Sequence, residues 1–239
     1  MIGWRARIGS IQPSRGDTFT YEFYQMVPKG IVLVLTSTNI TKLVPSEFER
    51  AWGEYEQAAK LLATEDVDFI MVGGTPIIAL KGAGSDEEIV ARIEAATKIP
   101  TTHGIQAVVE ALKALSIKKV VLATPYRDEV NARHKKMVEG YGFEVTNIRG
   151  MQIERNAEIA KLPAYASYRI AKEAFMEAGG SDGIYIPCAR WQTASSIEML
   201  EKDLKVPVVT NVQALIWAAF KRLHIGEINP GFGRLFETL

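Results

Sequence analysis

Residues 99–108 read IPTTHGIQAV, and residues 206–215 read VPVVTNVQAL. Both segments contain a β-branched residue, a proline, four varied residues, a second β-branched residue and then Gln-Ala-aliphatic, and the second copy begins 107 positions after the first. The run before Pro13 matches the run before Pro125 in the same way, and Gly73-Gly74-Thr75 aligns with Pro187-Cys188-Ala189. Several segments that match in the same order favour an internal duplication over chance similarity among α/β units.

Short apolar runs alternate with longer helical patterns on both sides of these segments. This alternation predicts βαβ units and mostly parallel sheets, and near-continuous apolar strands agree because a parallel sheet is buried on both faces. The predicted strands cover residues 7–12, 30–35, 67–72, 99–101, 119–123, 143–148, 183–186 and 206–209. The predicted helices cover residues 46–63, 86–97, 104–115, 127–141, 163–178, 195–203 and 212–222.

The duplication predicts an α/β protein made of two similar Rossmann-like domains with mostly parallel sheets, related by a pseudo-twofold axis. The N-terminal half covers residues 1–115 and the C-terminal half residues 116–215, and we expect residues 216–239 to pack back on the N-terminal half. Open parallel sheets bind ligands outside the carboxyl ends of their strands. The predicted active site is therefore the cleft between the two halves.

Composition restricts the class of protein. The chain has 239 residues with 28 basic and 28 acidic side chains, which gives no electrostatic footprint for nucleic acid or an anionic membrane. A signal peptide and a membrane span are not expected, and the protein is expected to be cytoplasmic. One cysteine and three scattered histidines match no metal-ligand spacing. We expect no metal and no cofactor, and a homo-oligomer is compatible with this size.

The predicted strand ends supply the candidate site residues. They are Pro13 and Ser14, then Gly74 and Thr75, then Tyr126, and finally Cys188 and Ala189. Each residue also has a purely structural interpretation, such as a tight turn for the glycine or a small buried apolar group for the cysteine. Four polar or flexible strand ends that face one cleft favour a site.

These residue types suit anion binding and proton transfer. The Gly73-Gly74-Thr75 turn presents successive backbone N–H groups that can form a nest for a carboxylate, and the Thr75 and Tyr126 hydroxyls add donors. Cys188 can give or take a proton if its pKa is suitable. The donors could stabilise a developing enolate directly, without a metal. The sequence thus predicts a small carboxylate or dicarboxylate as the ligand.

Four segments resemble the aspartate/glutamate racemase superfamily, and specifically its branch of arylmalonate decarboxylases and maleate cis-trans isomerases. They are IGSIQPS at residues 8–14, GGTP at 73–76, ATPYRDEVN at 123–131 and SDGIYIPC at 181–188. The resemblance implies two α/β domains with the site between them. Racemases and isomerases of this superfamily carry one cysteine in each half, whereas here Gly74 occupies the first position and Cys188 the second. Arylmalonate decarboxylase has the same combination of glycine and cysteine.

The resemblance implies a cofactor-independent decarboxylase of a malonate-like dicarboxylate. Donors around the glycine turn would hold the carboxylate that stays, an apolar pocket would favour loss of the other as CO2, and Cys188 would protonate the enediolate on one face. Two-base racemisation needs an acid-base group on each face of the carbon, and Gly74 has no side chain.

Several alternatives stay open at the level of sequence. A maleate isomerase or a racemase of the Asp/Glu/hydantoin type could use a group other than cysteine at the first position, and a non-catalytic carboxylate-binding protein could keep the same fold. Pro76 lacks an N–H and replaces a serine donor of the decarboxylase pattern. Arg15 and Arg190 either bind a second carboxylate or are solvated loop charges. Asn156 either contacts the substrate or caps a helix.

Overall fold

Two four-stranded parallel sheets form the framework of the molecule in a computed structural model that describes residues 2–239. The first sheet has the order β2-β1-β3-β4, and the second has the order β6-β5-β7-β8. The strands are β1 Ala6–Gln12, β2 Ile31–Ser37, β3 Phe69–Val72, β4 Thr101–His103, β5 Lys119–Thr124, β6 Glu144–Gly150, β7 Gly183–Ile186 and β8 Val208–Thr210. The identical order confirms the predicted fold class of two similar α/β units with parallel sheets.

Helices connect the parallel strands and cover the sheets. They are α1 Asp17–Met26, α2 Pro45–Ala63, α3 Thr75–Lys81, α4 Ser85–Thr97, α5 Gly104–Ala114, α6 Asp128–Gly140, α7 Asn156–Ile159, α8 Tyr165–Ala178, α9 Ala194–Leu204 and α10 Asn211–Leu223, followed by a 3-10 helix at Arg234–Thr238. Within the described chain, none of the helices combines the length and the apolar character needed to cross a bilayer.

The two repeated segments form equivalent strand-to-helix junctions. His103 ends β4 and caps α5 through a capping box with Gln106, and Thr210 ends β8 and caps α10 through a capping box with Gln213. The strands predicted at 99–101 and 206–209 begin too early. The observed strands β4 and β8 begin directly after Pro100 and Pro207, because proline has no N–H to donate to the hydrogen bonds of the sheet. The duplicated sequence therefore encodes a duplicated helix start.

Helices α1, α3 and α7 are not among the elements predicted from the sequence. Helix α1 reads DTFTYEFYQM, whose aromatic and β-branched residues have low helix propensity. Helix α3 reads TPIIALK and is too short for an amphipathic period to be visible. Both helices nevertheless border the cleft, since Phe19, Thr75, Pro76 and Ile77 line it.

The halves meet where α5 packs against α10. Residues beyond α10 contact the N-terminal half: the Asn229 backbone N–H donates to the Met26 carbonyl at 2.9 Å, and Arg5 forms an ion pair with Glu227 at 2.6 Å. Helix α10 itself runs continuously across residue 215. Division of the chain at residues 115 and 215 stays a prediction.

A buried carboxylate also joins the halves. Glu22 of α1 accepts hydrogen bonds from the backbone N–H groups of Thr193 and Ala194, the latter at 2.7 Å, at the start of α9. The Thr193 hydroxyl donates to the second carboxylate oxygen at 3.2 Å. Burial raises the pKa of Glu22 to about 7, although the Ala194 and Thr193 donors act in the opposite direction. The segment that follows Cys188 is thus anchored to the other half of the molecule.

We predict that Glu22→Gln removes a pH-dependent part of the unfolding free energy. The folded-state pKa of about 7 exceeds the ordinary value of 4.5, so the stabilisation is complete below pH 4.5 and is lost as the pH rises through 7. Between these pH values the wild type should lose on the order of 3 kcal/mol relative to the variant, measured by urea unfolding. Buried His103 and His134 are present in both proteins, so their titration cancels in the difference. Parallel curves for the two proteins would contradict the assignment.

Candidate active site

A cavity lies between the halves at the carboxyl ends of β1, β3, β5 and β7, and the predicted site residues all border it. Its predicted members are Pro13, Ser14, Gly74, Thr75, Tyr126, Asn156, Cys188 and Ala189. Its other members are Gln12, Arg15, Gly16, Phe19, Ile40, Leu43, Phe48, Gly73, Pro76, Ile77, Arg190, Asn211 and Leu215. Among the apolar lining residues, Ile40, Leu43, Phe48 and Ile77 belong to or pack against one hydrophobic cluster, here called the apolar wall. The hydrogen-bonding residues Thr75, Tyr126, Cys188 and Asn211 are here called the polar wall.

The turn after β3 supplies fewer backbone donors than the sequence suggested. The Gly73 N–H donates to the Ile11 carbonyl at 2.8 Å, and Pro76 has no N–H. The remaining amides of the turn belong to Gly74 and Thr75. Gly74 has φ +112°, a left-handed conformation that favours glycine.

Tyr55 of α2 occupies the space behind this turn. Its hydroxyl is fully buried and donates to the Gly73 carbonyl at 2.8 Å. A Cβ atom at position 74 would lie far inside van der Waals contact with that hydroxyl and 3.0 Å from Cδ1 of Ile77. A side chain at position 74 is therefore disfavoured both by φ and by Tyr55.

Cys188 has the equivalent position in the C-terminal half. It directly follows Pro187 at the end of β7 and has φ +91°, the same left-handed region as Gly74 but in a residue with a side chain. Its N–H donates to Oδ1 of Asn211 at 3.2 Å, and its carbonyl accepts from the Trp191 N–H at 3.2 Å. A non-glycine residue in this conformation is strained and persists only when its surroundings hold it.

The Cys188 thiol is a neutral group in this environment. Burial raises its pKa above the ordinary value, while the Tyr126 hydroxyl, the backbone N–H and charge of Arg190 and the Trp191 N–H favour the thiolate. Burial likewise raises the pKa of Tyr126 well above its ordinary range, so its phenol is a neutral donor next to the sulfur. The arrangement holds a protonated thiol among groups that can stabilise its anion.

The arginines border the cavity, and Arg190 is already paired. Its guanidinium donates to the Arg15 carbonyl, to Asp17 Oδ1 at 2.5 Å and to the Asn156 carbonyl at 3.3 Å. Asn156 is the first residue of α7. The N-cap residue of this helix is Arg155, and no side chain donates or accepts a capping hydrogen bond there, so the interpretation of Asn156 as a helix cap is wrong.

A second hollow adjoins the cavity and shares Arg15, Asn156 and Arg190 with it. Lys42 and Arg155 also line this hollow and belong to two short segments that form an isolated antiparallel bridge between the halves. Arg155 lies 3.4 Å from Glu158. Arg155 and Arg190 have carboxylate partners, so it is the charges of Arg15 and Lys42 at this opening that favour the approach of an anionic ligand.

Asn211 is the site residue that sequence reasoning missed. It begins α10, is buried, and contacts Thr75 from the other half as well as Cys188. The duplicated segments contain a signal for it, because Asn211 aligns with Gly104, and a polar side chain thus replaces a glycine at a strand end. The apolar wall was also missed, since its residues come from separate elements.

We predict that Gly74→Ala destabilises the protein by about 2 to 4 kcal/mol, because the new Cβ atom meets the Tyr55 hydroxyl in a left-handed turn. Gly84→Ala is the matched control, since Gly84 is also a left-handed N-cap, with φ +93°, and has open space around it. Urea unfolding should show a clearly smaller loss for the control. Tyr55→Phe should restore part of the stability of Gly74→Ala, and strictly additive effects would contradict the steric explanation.

We also predict that Cys188 reacts slowly with iodoacetamide at neutral pH and that its reaction rate rises only at pH values above the ordinary thiol pKa. Tyr126→Phe should slow the reaction further, because it removes a donor to the thiolate. The chain has one cysteine, so mass spectrometry reports on this thiol alone. The denatured protein is the control for ordinary reactivity. A rate that is already maximal at pH 7 would refute the neutral thiol.

Comparison with known proteins identifies the family and supports the fold. Arylmalonate decarboxylase from Bordetella bronchiseptica is 26% identical over 231 residues, 96% of either chain, and maleate isomerase from Pseudomonas putida is 25% identical over 97% of either chain. A crystal structure of a doubly substituted arylmalonate decarboxylase in liganded form has a TM-score of 0.92 at 25% identity and covers 98% of this chain and 100% of that one. A maleate isomerase variant from Pseudomonas putida S16 crystallised with maleate shares the fold, with a TM-score of 0.91 at 21% identity over 98% of both chains. The family of arylmalonate decarboxylases matches residues 8–236, and the chain belongs to that family.

Proposed function

We propose that this protein is a cofactor-independent decarboxylase of a malonate-like dicarboxylate, with Cys188 as the proton donor. The observation that carries the proposal is the pairing of Gly74 with Cys188 at equivalent left-handed strand ends. The Tyr55 hydroxyl fills the space that a side chain at position 74 would need. Of these two equivalent positions, one thus presents a thiol and the other only backbone.

The first step is the loss of CO2. Gly74, Thr75 and Tyr126 border the cavity. The Gly74 and Thr75 amides and the Thr75 hydroxyl are suited to hold the carboxylate that stays, while the single Tyr126 proton is directed at the Cys188 sulfur. The second carboxylate would face the apolar wall, which includes Phe48, Leu43 and Ile77. An apolar environment disfavours a localised charge, so the C–C bond breaks as its electron pair moves into the enediolate held by the donors.

The second step is protonation of the enediolate carbon. The Cys188 S–H bond breaks, its proton forms the new C–H bond, and the sulfur becomes a thiolate. Burial keeps the thiol protonated beforehand, while the Tyr126 hydroxyl, Arg190 and the Trp191 N–H stabilise the anion that forms. Water then returns a proton to the sulfur, and the hydroxide that remains combines with the released CO2 to form bicarbonate. The proton reaches one face of the carbon, because the opposite face meets Gly74.

A maleate isomerase is the second candidate. Two observations favour it: the maleate isomerase from Pseudomonas putida matches 97% of the chain, and Arg15 and Arg190 border the cavity. A covalent isomerisation would need a nucleophile at the position of Gly74, and glycine does not provide one. The decarboxylase therefore fits the residues better.

We expect the wild-type protein to release CO2 from phenylmalonate and Cys188→Ala to lose at least about 100-fold in kcat, because the general acid is gone. Coupled CO2 detection, with product analysis by chromatography, measures the reaction. Ser196→Ala is the matched control: it removes another small polar group that is buried against Ser167 rather than at the cavity. Conversion of maleate to fumarate without CO2 release from any aryl- or alkylmalonate would favour the isomerase instead, and full activity in Cys188→Ala would exclude the proposed mechanism.

A further inference from the structure

Asn211 lies at the junction of the two halves and contacts both sides of the cavity. Its Nδ2 donates to Thr75 Oγ1 at 2.9 Å, and its Oδ1 accepts from the Tyr185 hydroxyl at 2.8 Å and from the Cys188 N–H at 3.2 Å. Asn211, Thr75 and Tyr185 are buried, and Cys188 is partly buried. One amide group therefore connects the predicted carboxylate donor with the predicted proton donor.

The orientation of this amide is fixed by its partners. The Cys188 N–H can only donate, so the atom of Asn211 that faces it must be the oxygen. The NH2 group must then face Thr75, and it can only donate. Thr75 Oγ1 is consequently an acceptor in this contact, and its own proton is directed elsewhere.

The Thr75 proton has two destinations. The Tyr185 hydroxyl oxygen is one: burial raises the pKa of Tyr185, and a hydrogen bond from the Thr75 side chain acts in the opposite direction. The cavity, which Thr75 borders, is the other. A carboxylate in the cavity is a charged acceptor and forms a stronger hydrogen bond than a neutral phenol oxygen. The Thr75 hydroxyl therefore donates its hydrogen bond to a carboxylate that is bound in the cavity.

We propose that Asn211 is a positioning residue that makes Thr75 a hydrogen-bond donor to the substrate carboxylate while it holds the Cys188 backbone in its left-handed conformation. The inference rests on the proposed function and names the residue that orients the hydrogen-bond donor for the substrate. Asn211 itself transfers no proton.

Gly104 provides the space for the hydrogen bond between Asn211 and Thr75. A Cβ atom at position 104 would lie 3.1 Å from Asn211 Nδ2 and 3.7 Å from Thr75 Oγ1. Gly104 and Asn211 occupy equivalent positions in the duplicated segments, at the starts of α5 and α10. The two halves therefore share one asparagine, which the glycine of the other half accommodates.

Asn211→Asp tests the proposal with almost no change in shape. A carboxylate still accepts from Cys188 and Tyr185, but it cannot donate to Thr75 and instead attracts the Thr75 proton away from the cavity. We expect kcat/KM for phenylmalonate to fall about 10- to 100-fold at pH 8. As the pH decreases and the new carboxyl group is protonated, it can donate again, so the ratio of wild-type to variant activity should shrink. A purely structural role predicts no such recovery.

Gln213→Glu is the matched control, because it makes the same amide-to-carboxylate change in the same buried first turn, outside the cavity lining. It should lose stability without the pH-dependent loss of kcat/KM. If Asn211→Asp does not fold, Asn211→Ala replaces it, and adding Thr75→Val to that variant should cause little further loss. Activity of Asn211→Asp within about twofold of wild type, or additive effects of Asn211→Ala and Thr75→Val, would overturn the proposal.

Calorimetric binding of phenylmalonate and malonate separates this proposal from the proposed function. A wild type that binds phenylmalonate but releases no CO2 contradicts the decarboxylase. In that case, at least about tenfold weaker binding by Asn211→Asp than by Gln213→Glu still supports the role of Asn211, and equal binding overturns it. A wild type that binds neither diacid contradicts both proposals.

Discussion

The packing of α5 against α10 determines where the cavity lies. Each helix begins directly at the carboxyl end of the last strand of its sheet, after a capping box that fixes its first turn. When the two helices pack together, the carboxyl edges of both sheets face one another, and the loops beyond those edges enclose a common space. The polar side chain of Asn211 is accommodated at this junction, because Gly104 leaves room for it.

The halves are equivalent in backbone and different in chemistry. Gly74 and Cys188 follow the third strand of their sheets and share a left-handed φ, which turns the chain away from the sheet and toward the cavity. The glycine adopts this conformation without strain, whereas the cysteine is held by Asn211. Tyr55 closes the space behind Gly74. A duplicated fold thus presents a reactive group on one side only.

Neutral donors dominate the polar wall. Burial raises the pKa of Cys188 and of Tyr126, so both groups keep their protons until a charge develops near them. The positive charge of Arg190 is compensated by Asp17, and Lys42 and Arg155 line the adjoining hollow rather than the cavity. Such an environment is suited to binding an anion through directed hydrogen bonds, while the nearby charges of Arg15 and Lys42 favour its approach.

Local patterns in the sequence determined the two parallel sheets, their duplication and the strand ends that line the cavity, because strand alternation and turn residues are encoded over a few neighbouring positions. Only the tertiary structure decided what surrounds those strand ends. Asn211 and Thr75 are 136 residues apart, and Arg190 and Asp17 are 173 apart. These contacts depend on how the halves pack, so no local pattern predicts that Arg190 is paired or which way the Thr75 hydroxyl points.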